Sequence, residues 1–336
     1  MDLKHLQALI GIADTGSFSA AAEAIGTVQS NISAHVARVE RELDVVLVDR
    51  ASGRLTEEGE VVVARARRMM AEMDAMVSDV IAMRHEVRGT VRVGMIGTTG
   101  RWLVPQLFVG LRQRHPEVRM TVADGTSTTL EPQLISGQLD LAVVTLPVPG
   151  DELSASPLFE EDLVLVVPTD HPLVAAQRAR RPDTGGLPNG AHPDGAGPDR
   201  GRPLPPLPLT ALADLELLLP LPGTALREEI DAAVQPSGVL LQASMELDGL
   251  RMIASLTFDG YGPAILPATA VPGHLRDQFT LLPLEGFPRR QVGVALRSRG
   301  LPSAPTRALI DLLYVIVQDP GPLPEGLHPA VGPRGR

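Results

Sequence analysis

Residues 18–33 read FSAAAEAIGTVQSNIS, and this stretch decides how the N-terminal part of the chain folds. It predicts two short helices joined by a tight turn, the first small and apolar and the second opening with short polar side chains. Thr27 stands where an N-cap residue is expected, just before the second helix. Spacings of four, three and four predict a single buried stripe along this second helix, formed by Ile32, Val36, Val39 and Leu43.

The opposite face of the second helix is rich in hydrogen-bond donors at its exposed N-terminal end, a combination that fits the major groove of DNA. The segment Leu47–Leu55 predicts two short extended pieces around a Ser52-Gly53 turn, a wing whose arginines reach phosphates. We therefore predict that DNA is contacted by Gln29, Ser30, Asn31, Ser33, His35, Arg38, Arg50 and Arg54.

The net charge of the chain argues against a strongly basic nucleic-acid binder. The formal net charge is -10, and residues 1–56 also carry more acidic than basic side chains. Binding to random DNA depends on phosphate neutralisation, so we expect weak non-specific affinity and reliance on several half-sites. An alternative stays open, in which the chain is a solute-binding protein and its N-terminal helices contact proteins instead of DNA.

A long helix is predicted after Thr56, whose hydroxyl caps it, with Glu57 and Glu58 in the first turn where acidic side chains are favoured. Its apolar residues alternate at spacings of three and four, as in a coiled-coil seam. We expect this helix to pair with a second copy of itself; the alternative is a core helix packed on its own domain. The stripe comprises Val62, Ala66, Met69, Met70, Met73, Met76, Val77, Val80 and Met83.

From Thr90 onward, predicted strands and helices alternate with short loops, which is typical of a doubly wound α/β domain. Residues 182–208 are rich in proline and glycine and have little apolar periodicity, so we expect a disordered insertion there. The predicted division is a helix-turn-helix domain over 1–58, a dimerisation helix over 59–88, an effector domain over 90–317 and a loose tail over 318–336. Within the effector domain, lobe I takes about 90–167 and 268–317, and lobe II about 168–267.

Composition excludes several classes of chemistry. The chain contains no cysteine, which excludes disulfides, thiol catalysis and thiolate metal sites. The glycines at 94, 97 and 100 have the spacing G-x-x-G-x-x-G, which does not specify a dinucleotide-binding turn. No motif for a phosphate-binding loop, a nucleophile elbow or a metal site is found, so we expect no enzyme activity, no cofactor and no metal. The N-terminus shows no signal peptide and no run of about 18 apolar residues exists, so a cytoplasmic location is expected.

Several short motifs, spread over all three parts of the chain, together resemble the LysR-type transcriptional regulators. The chain departs from the usual pattern at Val28, where a serine is common, at Val48, where Phe is frequent, and in the length of the 182–208 insertion. The motifs are Ser17–Ala22, Gln29–Ser33, Val39–Leu43, Leu55–Gly59, Val91–Gly94, Ser136–Leu141 and Ala264–Pro267.

This resemblance implies a winged helix-turn-helix, a linker helix and a two-lobed effector domain similar to periplasmic binding proteins. It also implies a dimer-built homotetramer that binds an interrupted palindrome in double-stranded DNA near a promoter, with RNA polymerase as a further candidate partner and no membrane association. A small-molecule effector is expected between the two lobes.

Ligands of α/β lobes bind at loops that follow the carboxyl ends of strands and at helix N-termini. Hydroxyl-bearing and glycine residues stand at such places in this chain. For each of these residues the alternative is a plain helix cap, and that alternative is favoured at the last two. The candidate effector residues are Thr98, Thr99, Thr126, Ser127, Thr145, Gly223 and Thr224.

Overall fold

The computed structural model describes residues 1–84, 86–180, 204–318 and 323–330. Its N-terminal part consists of helices α1 (Leu3–Thr15), α2 (Phe18–Ile25) and α3 (Gln29–Leu43). Glycines in the left-handed conformation end α1 and α2, which turns the chain sharply after each helix. The predicted stripe of α3 is confirmed in part: its first three residues are buried against α1 and α2, whereas Leu43 is exposed. The core comprises Leu9, Ile12, Ala21, Ile32, Val36, Val39 and Leu47.

The wing is a tight turn closed by a single antiparallel bridge between Val48 and Leu55. The Asp49 carboxylate holds this turn by accepting hydrogen bonds from the backbone N–H of Ala51, at 2.9 Å, and from the Ser52 hydroxyl, at 2.8 Å. These bonds lower the pKa of Asp49, the N–H of Ala51 having the largest effect. The turn therefore keeps its shape without a longer strand pair.

Helix α4 runs over Glu57–Ala82, so it ends earlier than the predicted 59–88 segment. The Thr56 side chain accepts a hydrogen bond from the Gly59 N–H at 3.0 Å, as expected of its N-cap. Val63 and Ala66 bury one side of the helix against the chain's own core. Farther toward its C-terminus, the same stripe of the helix carries apolar residues that are 40–60% exposed, namely Met69, Met73, Met76, Val77 and Val80.

The rest of the chain forms two mixed sheets with helices. The first sheet has the strand order β11-β4-β10-β3-β1-β2, and the second has the order β7-β6-β8-β5-β9. The strands are β1 (Gly89–Ile96), β2 (Val118–Gly125), β3 (Leu141–Thr145), β4 (Leu153–Glu161), β5 (Leu163–Pro168), β6 (Glu216–Pro220), β7 (Gln242–Leu247), β8 (Ala264–Pro267), β9 (Phe279–Pro283), β10 (Arg290–Arg297) and β11 (Leu327–Pro329). The helices are α5 (Gly97–Arg114), α6 (Ser127–Ser136), α7 (Pro172–Ala179), α8 (Ala225–Val234), α9 (Leu250–Phe258) and α10 (Ala304–Gln318).

By its contacts the chain divides into two compact units. The first comprises Met1–Met95, Leu107–Ser156 and Val294–Tyr314, and thus includes the helix-turn-helix and helix α4. The second comprises Ile96–Gln106, Pro157–Gly293 and the C-terminal segment from Val315. Each unit has its own buried apolar residues, as an α/β lobe requires.

The predicted lobe boundaries were wrong at two strands. β5 and β9 were expected in the first lobe, but hydrogen bonding places both in the second sheet. β5 pairs antiparallel with β8, Leu163 lying opposite Pro267, and with β9, Val164 lying opposite Pro283. The apolar run of β5 is buried along its length, as suits a strand with neighbours on both edges, but such a run does not reveal which sheet it enters.

The two segments expected to lack structure are partly ordered. Leu207, inside the predicted insertion, is buried and its N–H donates to the Pro283 carbonyl at 2.7 Å. The tail contributes β11, whose Leu327 lies opposite Glu161 of β4. These parts are ordered although the segments are rich in proline, because each segment contains a leucine that is buried in the fold, Leu207 in the first and Leu327 in the second. Residues 181–203, 319–322 and 331–336 lie outside the described residues.

Within the described ranges, no helix is both long and apolar enough to cross a bilayer. The same ranges contain no group of three or more histidine or carboxylate side chains placed to hold a metal ion.

The exposed stripe of α4 predicts an oligomer held by this helix. Replacing Met73 and Val80 together by Glu would place like charges across a desolvated seam, which is strongly unfavourable. We expect the full-length double variant to sediment as a smaller species than the parent. The matched control, Met73→Leu with Val80→Ile, keeps the seam apolar and should keep the parent's size. A Glu double variant of unchanged size would refute this role of α4.

Candidate functional site

The exposed N-terminal end of α3 carries the residues predicted to meet base edges. Gln29, Ser30 and Asn31 are exposed, while Ser33 and His35 are half-buried. The Ser19 hydroxyl donates to Gln29 Oε1 at 3.0 Å, whereas the Nε2 group of Gln29 has no partner among the described residues. The half-buried His35 ring lies 5.0 Å from that of His5.

The residue that precedes α3 differs from the prediction. Val28, not Thr27, occupies the N-cap position, and it makes no side-chain cap. The Thr27 hydroxyl instead accepts a hydrogen bond from Asn31 Nδ2 at 2.9 Å, so Thr27 supports the first turn through a side chain. The expectation of a threonine N-cap was therefore wrong by one residue.

Two of the three predicted backbone-binding arginines are paired with carboxylates of α3. Arg38 Nε donates to Glu42 at 3.0 Å. Arg50 donates to the Ser33 hydroxyl at 2.8 Å and to Glu40 at 3.1 Å, and its guanidinium lies 5.6 Å from the centre of the Phe18 ring. Arg50 thus ties the wing to α3 and holds Ser33 in place.

Two carboxylates of α3, Glu40 and Glu42, are engaged by further contacts within the domain. Glu40 also accepts a hydrogen bond from the Leu47 N–H at 3.0 Å, which connects α3 to the following segment. The N-terminal ammonium, and after it Arg38, lower the pKa of Glu42 through hydrogen bonds. Arg54 differs from Arg38 and Arg50, because its exposed side chain has no carboxylate partner among the described residues. It is therefore the arginine most available to a phosphate.

A second candidate site surrounds the first turn of α5. Thr98 and Thr99 are both buried there, directly after β1 as predicted, but they belong to the helix and not to a loop before it. The Thr269 hydroxyl donates to Thr98 Oγ1 at 3.0 Å. Thr99 Oγ1 is buried without a hydrogen-bond partner among the described residues. Because buried hydroxyls nearly always have partners, Thr99 is a buried polar group whose partner the described residues do not supply.

Sequence reasoning missed a buried ion pair beside these threonines. Glu161 accepts from the Thr269 N–H at 2.8 Å and from the Arg290 guanidinium at 3.2 Å, and both charged side chains are at least nine-tenths buried. Arg290 Nε also lacks a partner among the described residues. Burial raises the pKa of Glu229, an effect that the nearby Arg290 partly offsets. The only signal in the sequence was a charged residue flanking an apolar run.

The remaining candidate effector residues make mostly local contacts. Ser127 and Thr145 are brought together, since Ser127 Oγ accepts from the Thr145 N–H at 3.1 Å. Thr126 stands at the N-cap of α6 in a capping box with Thr129, whose hydroxyl oxygen accepts from the Thr126 N–H at 2.9 Å. This arrangement supports the alternative of a structural cap for Thr126.

Gly223 and Thr224 form the turn before α8. Gly223 has a positive φ of 83°, which a side chain would strain. The Thr224 hydroxyl donates to the Leu221 carbonyl at 2.8 Å, and Thr224 makes no side-chain cap to α8. Thr224 therefore occupies the N-cap position of α8, as the favoured alternative predicts, but its side chain accepts no capping hydrogen bond.

Two family models match the chain. "Bacterial regulatory helix-turn-helix protein, lysR family" matches residues 3–60, and "LysR substrate binding domain" matches residues 84–189 and 196–314. A relative from Mycobacterium leprae, a "Probable hydrogen peroxide-inducible genes activator", is 29% identical over 317 residues, which are 93% of each chain.

Solved structures share the fold. A cysteine-to-aspartate variant of full-length OxyR from Pseudomonas aeruginosa matches with a TM-score of 0.69 at 24% identity, covering 95% of both chains. Full-length CbnR in complex with its target DNA matches with a TM-score of 0.59 at 18% identity, covering 93% of this chain and 99% of that one.

Gln29 and Arg54 should affect DNA binding in different ways. Gln29→Ala removes a group that is predicted to read a base edge, so it should weaken specific binding by about 1–3 kcal/mol and change binding to random DNA little. Arg54→Ala should weaken both kinds of binding alike and reduce the salt slope by about one. Titrations of operator and random duplexes at several salt concentrations measure both quantities. Tight operator binding by Gln29→Ala would mean that α3 is not the reading helix.

Proposed function

The chain belongs to the LysR family of bacterial helix-turn-helix regulators, and from this we propose that it is a cytoplasmic regulator whose action on DNA responds to a non-covalently bound small molecule. Residues 1–58 would bind DNA, 59–88 would join two copies, and 90–317 would hold the effector. The family consists of transcription regulators, which agrees with the expectation that the chain is not an enzyme.

The N-terminal residues support DNA, and not a protein partner, as the target. The match to the lysR-family helix-turn-helix covers residues 3–60. This range includes the exposed polar side chains of Gln29, Ser30 and Arg54. Exposed apolar residues on α4 supply a surface for self-association. A dimer carries two reading helices, and a homotetramer would place four on an interrupted palindrome near a promoter, where RNA polymerase is a further candidate partner.

The absence of cysteine determines what kind of signal this chain can sense. Relatives are named for induction by hydrogen peroxide, but a thiol-based response requires a cysteine, and the chain has none. We therefore propose an effector that binds reversibly through hydrogen bonds and packing.

Thr99 is the observation that carries the effector proposal. Its hydroxyl is buried without a partner in the first turn of a helix, where backbone N–H groups also lack partners within the helix. The preceding residue in the chain, Thr98, accepts from the Thr269 hydroxyl, and the Thr269 N–H donates to Glu161, the ion-pair partner of Arg290. We also keep as proposed effector residues four candidates whose observed contacts are local, namely Ser127, Thr145, Gly223 and Thr224. Thr126 is best explained as a helix cap.

A gel-shift experiment tests the DNA-binding half of this proposal. The full-length protein should shift a duplex from the region flanking its own gene in the presence of excess random DNA. A parallel thermal-shift screen of small metabolites tests the effector half. A protein that prefers no duplex over random DNA would refute regulation through DNA.

Thr99→Val and Thr98→Val should affect unfolding in opposite directions. Thr99→Val removes an unsatisfied buried hydroxyl, so it should keep or raise the melting temperature of the free protein. It should also weaken ligand binding. For the compound that gives the largest thermal shift in the screen, the binding free energy should fall by about 1–2 kcal/mol, the value of one hydrogen bond. Thr98→Val loses the bond from Thr269 and should lower the melting temperature. If Thr99→Val left ligand affinity unchanged, Thr99 would not be a ligand-binding residue.

A further inference from the structure

Val28 breaks two local rules at the start of α3. It takes the N-cap position with extended backbone (φ −100°, ψ 151°) and makes no hydrogen bond to the helix from its side chain. Apolar β-branched residues are among the poorest N-caps, whereas Ser, Thr, Asp or Asn at this position stabilise a helix. The Val28 side chain is also 59% exposed, so it contributes little packing in return.

Residues that break local rules without a gain in stability are expected at functional sites. Val28 directly precedes Gln29 and Ser30, the exposed polar residues at the reading end of α3. The apolar group is therefore next to the surface proposed to enter the major groove.

The neighbouring Gln29 narrows which base this surface fits. Its Oε1 accepts from the Ser19 hydroxyl, so its free group is the N–H donor Nε2. In the major groove thymine, adenine and guanine each present an acceptor to such a donor, whereas cytosine presents only a donor. Thymine is the one base that places a methyl group next to its acceptor, O4. An N–H donor beside an apolar side chain matches the thymine edge.

We propose that Val28 is a specificity-determining residue that contacts the 5-methyl group of a thymine in each half-site. The inference rests on the proposed function, because it requires α3 to enter the major groove. It adds a contact that depends on the methyl groups of Val28 and that a serine at position 28 would not make.

The test uses the full-length protein and a duplex obtained by selection from random sequences. Each thymine of one half-site is replaced in turn by deoxyuridine, which removes only the methyl group. One such replacement should weaken binding by the parent about fourfold, the effect of losing one buried carbon group of about 0.8 kcal/mol. The same replacement should not weaken binding by Val28→Ser.

Two controls separate the contact from general damage. Val46→Ser alters another valine, 63% exposed and outside α3, and should keep the parent's sensitivity to deoxyuridine. Val28→Ser supplies a good N-cap, so its melting temperature should rise while its discrimination of the methyl group disappears. A loss of discrimination in a more stable protein cannot come from unfolding.

Three results would overturn the proposal. One is a parent protein that no deoxyuridine replacement weakens, and another is a Val28→Ser variant as sensitive to the methyl group as the parent. The third is a normal operator affinity combined with a changed oligomeric state in Val28→Ser, which would assign Val28 to a protein contact. If selection enriched no sequence at all, the DNA-binding function itself would fail.

Discussion

The burial of one side of α3 against α1 and α2 is the constraint on which the N-terminal domain depends. Because Ile32, Val36 and Val39 are completely enclosed, the helix cannot rotate about its axis without exposing them. The residues between them are consequently held on the outside in a fixed order. The tight turns at Gly16 and Gly26, which end α1 and α2, add to this restraint because they connect the three helices through very short segments.

Charge in this domain is arranged by local pairing. Glu40 and Glu42 are engaged by Arg50, Arg38 and backbone N–H groups, so their carboxylates are already partly neutralised at the surface that would approach phosphates. A domain of acidic composition can therefore still present a few cationic or hydrogen-bond donor groups on the surface that would approach DNA phosphates. The arrangement favours contacts that depend on geometry over attraction that depends on total charge.

Much of the architecture was predictable from periodicity, and the failures have identifiable causes. The α3 stripe, the Thr56 cap and the exposed seam of α4 each follow from local spacing, which fixes the face of a helix on which a residue lies. The sheet to which β5 belongs depends on pairing with β8 and β9, far away in sequence, and no local pattern encodes it. The same holds for Glu161 and Arg290, which meet across 129 residues. The position of Thr98 and Thr99 directly after β1 was predictable because strand-to-helix junctions can be recognised locally, whereas the contact between Thr98 and Thr269 was not, since these residues are distant in sequence.

The short strand β11 has a consequence for handling the protein. It covers an edge of β4 and buries Leu327, so it protects backbone groups that would otherwise be free to pair with another molecule. A shortened version lacking residues 323–330 would uncover that edge and invite strand-to-strand aggregation. Solubility after expression is thus tied to eight proline-flanked residues that composition alone marks as dispensable, and an affinity tag is better attached at a distance from them.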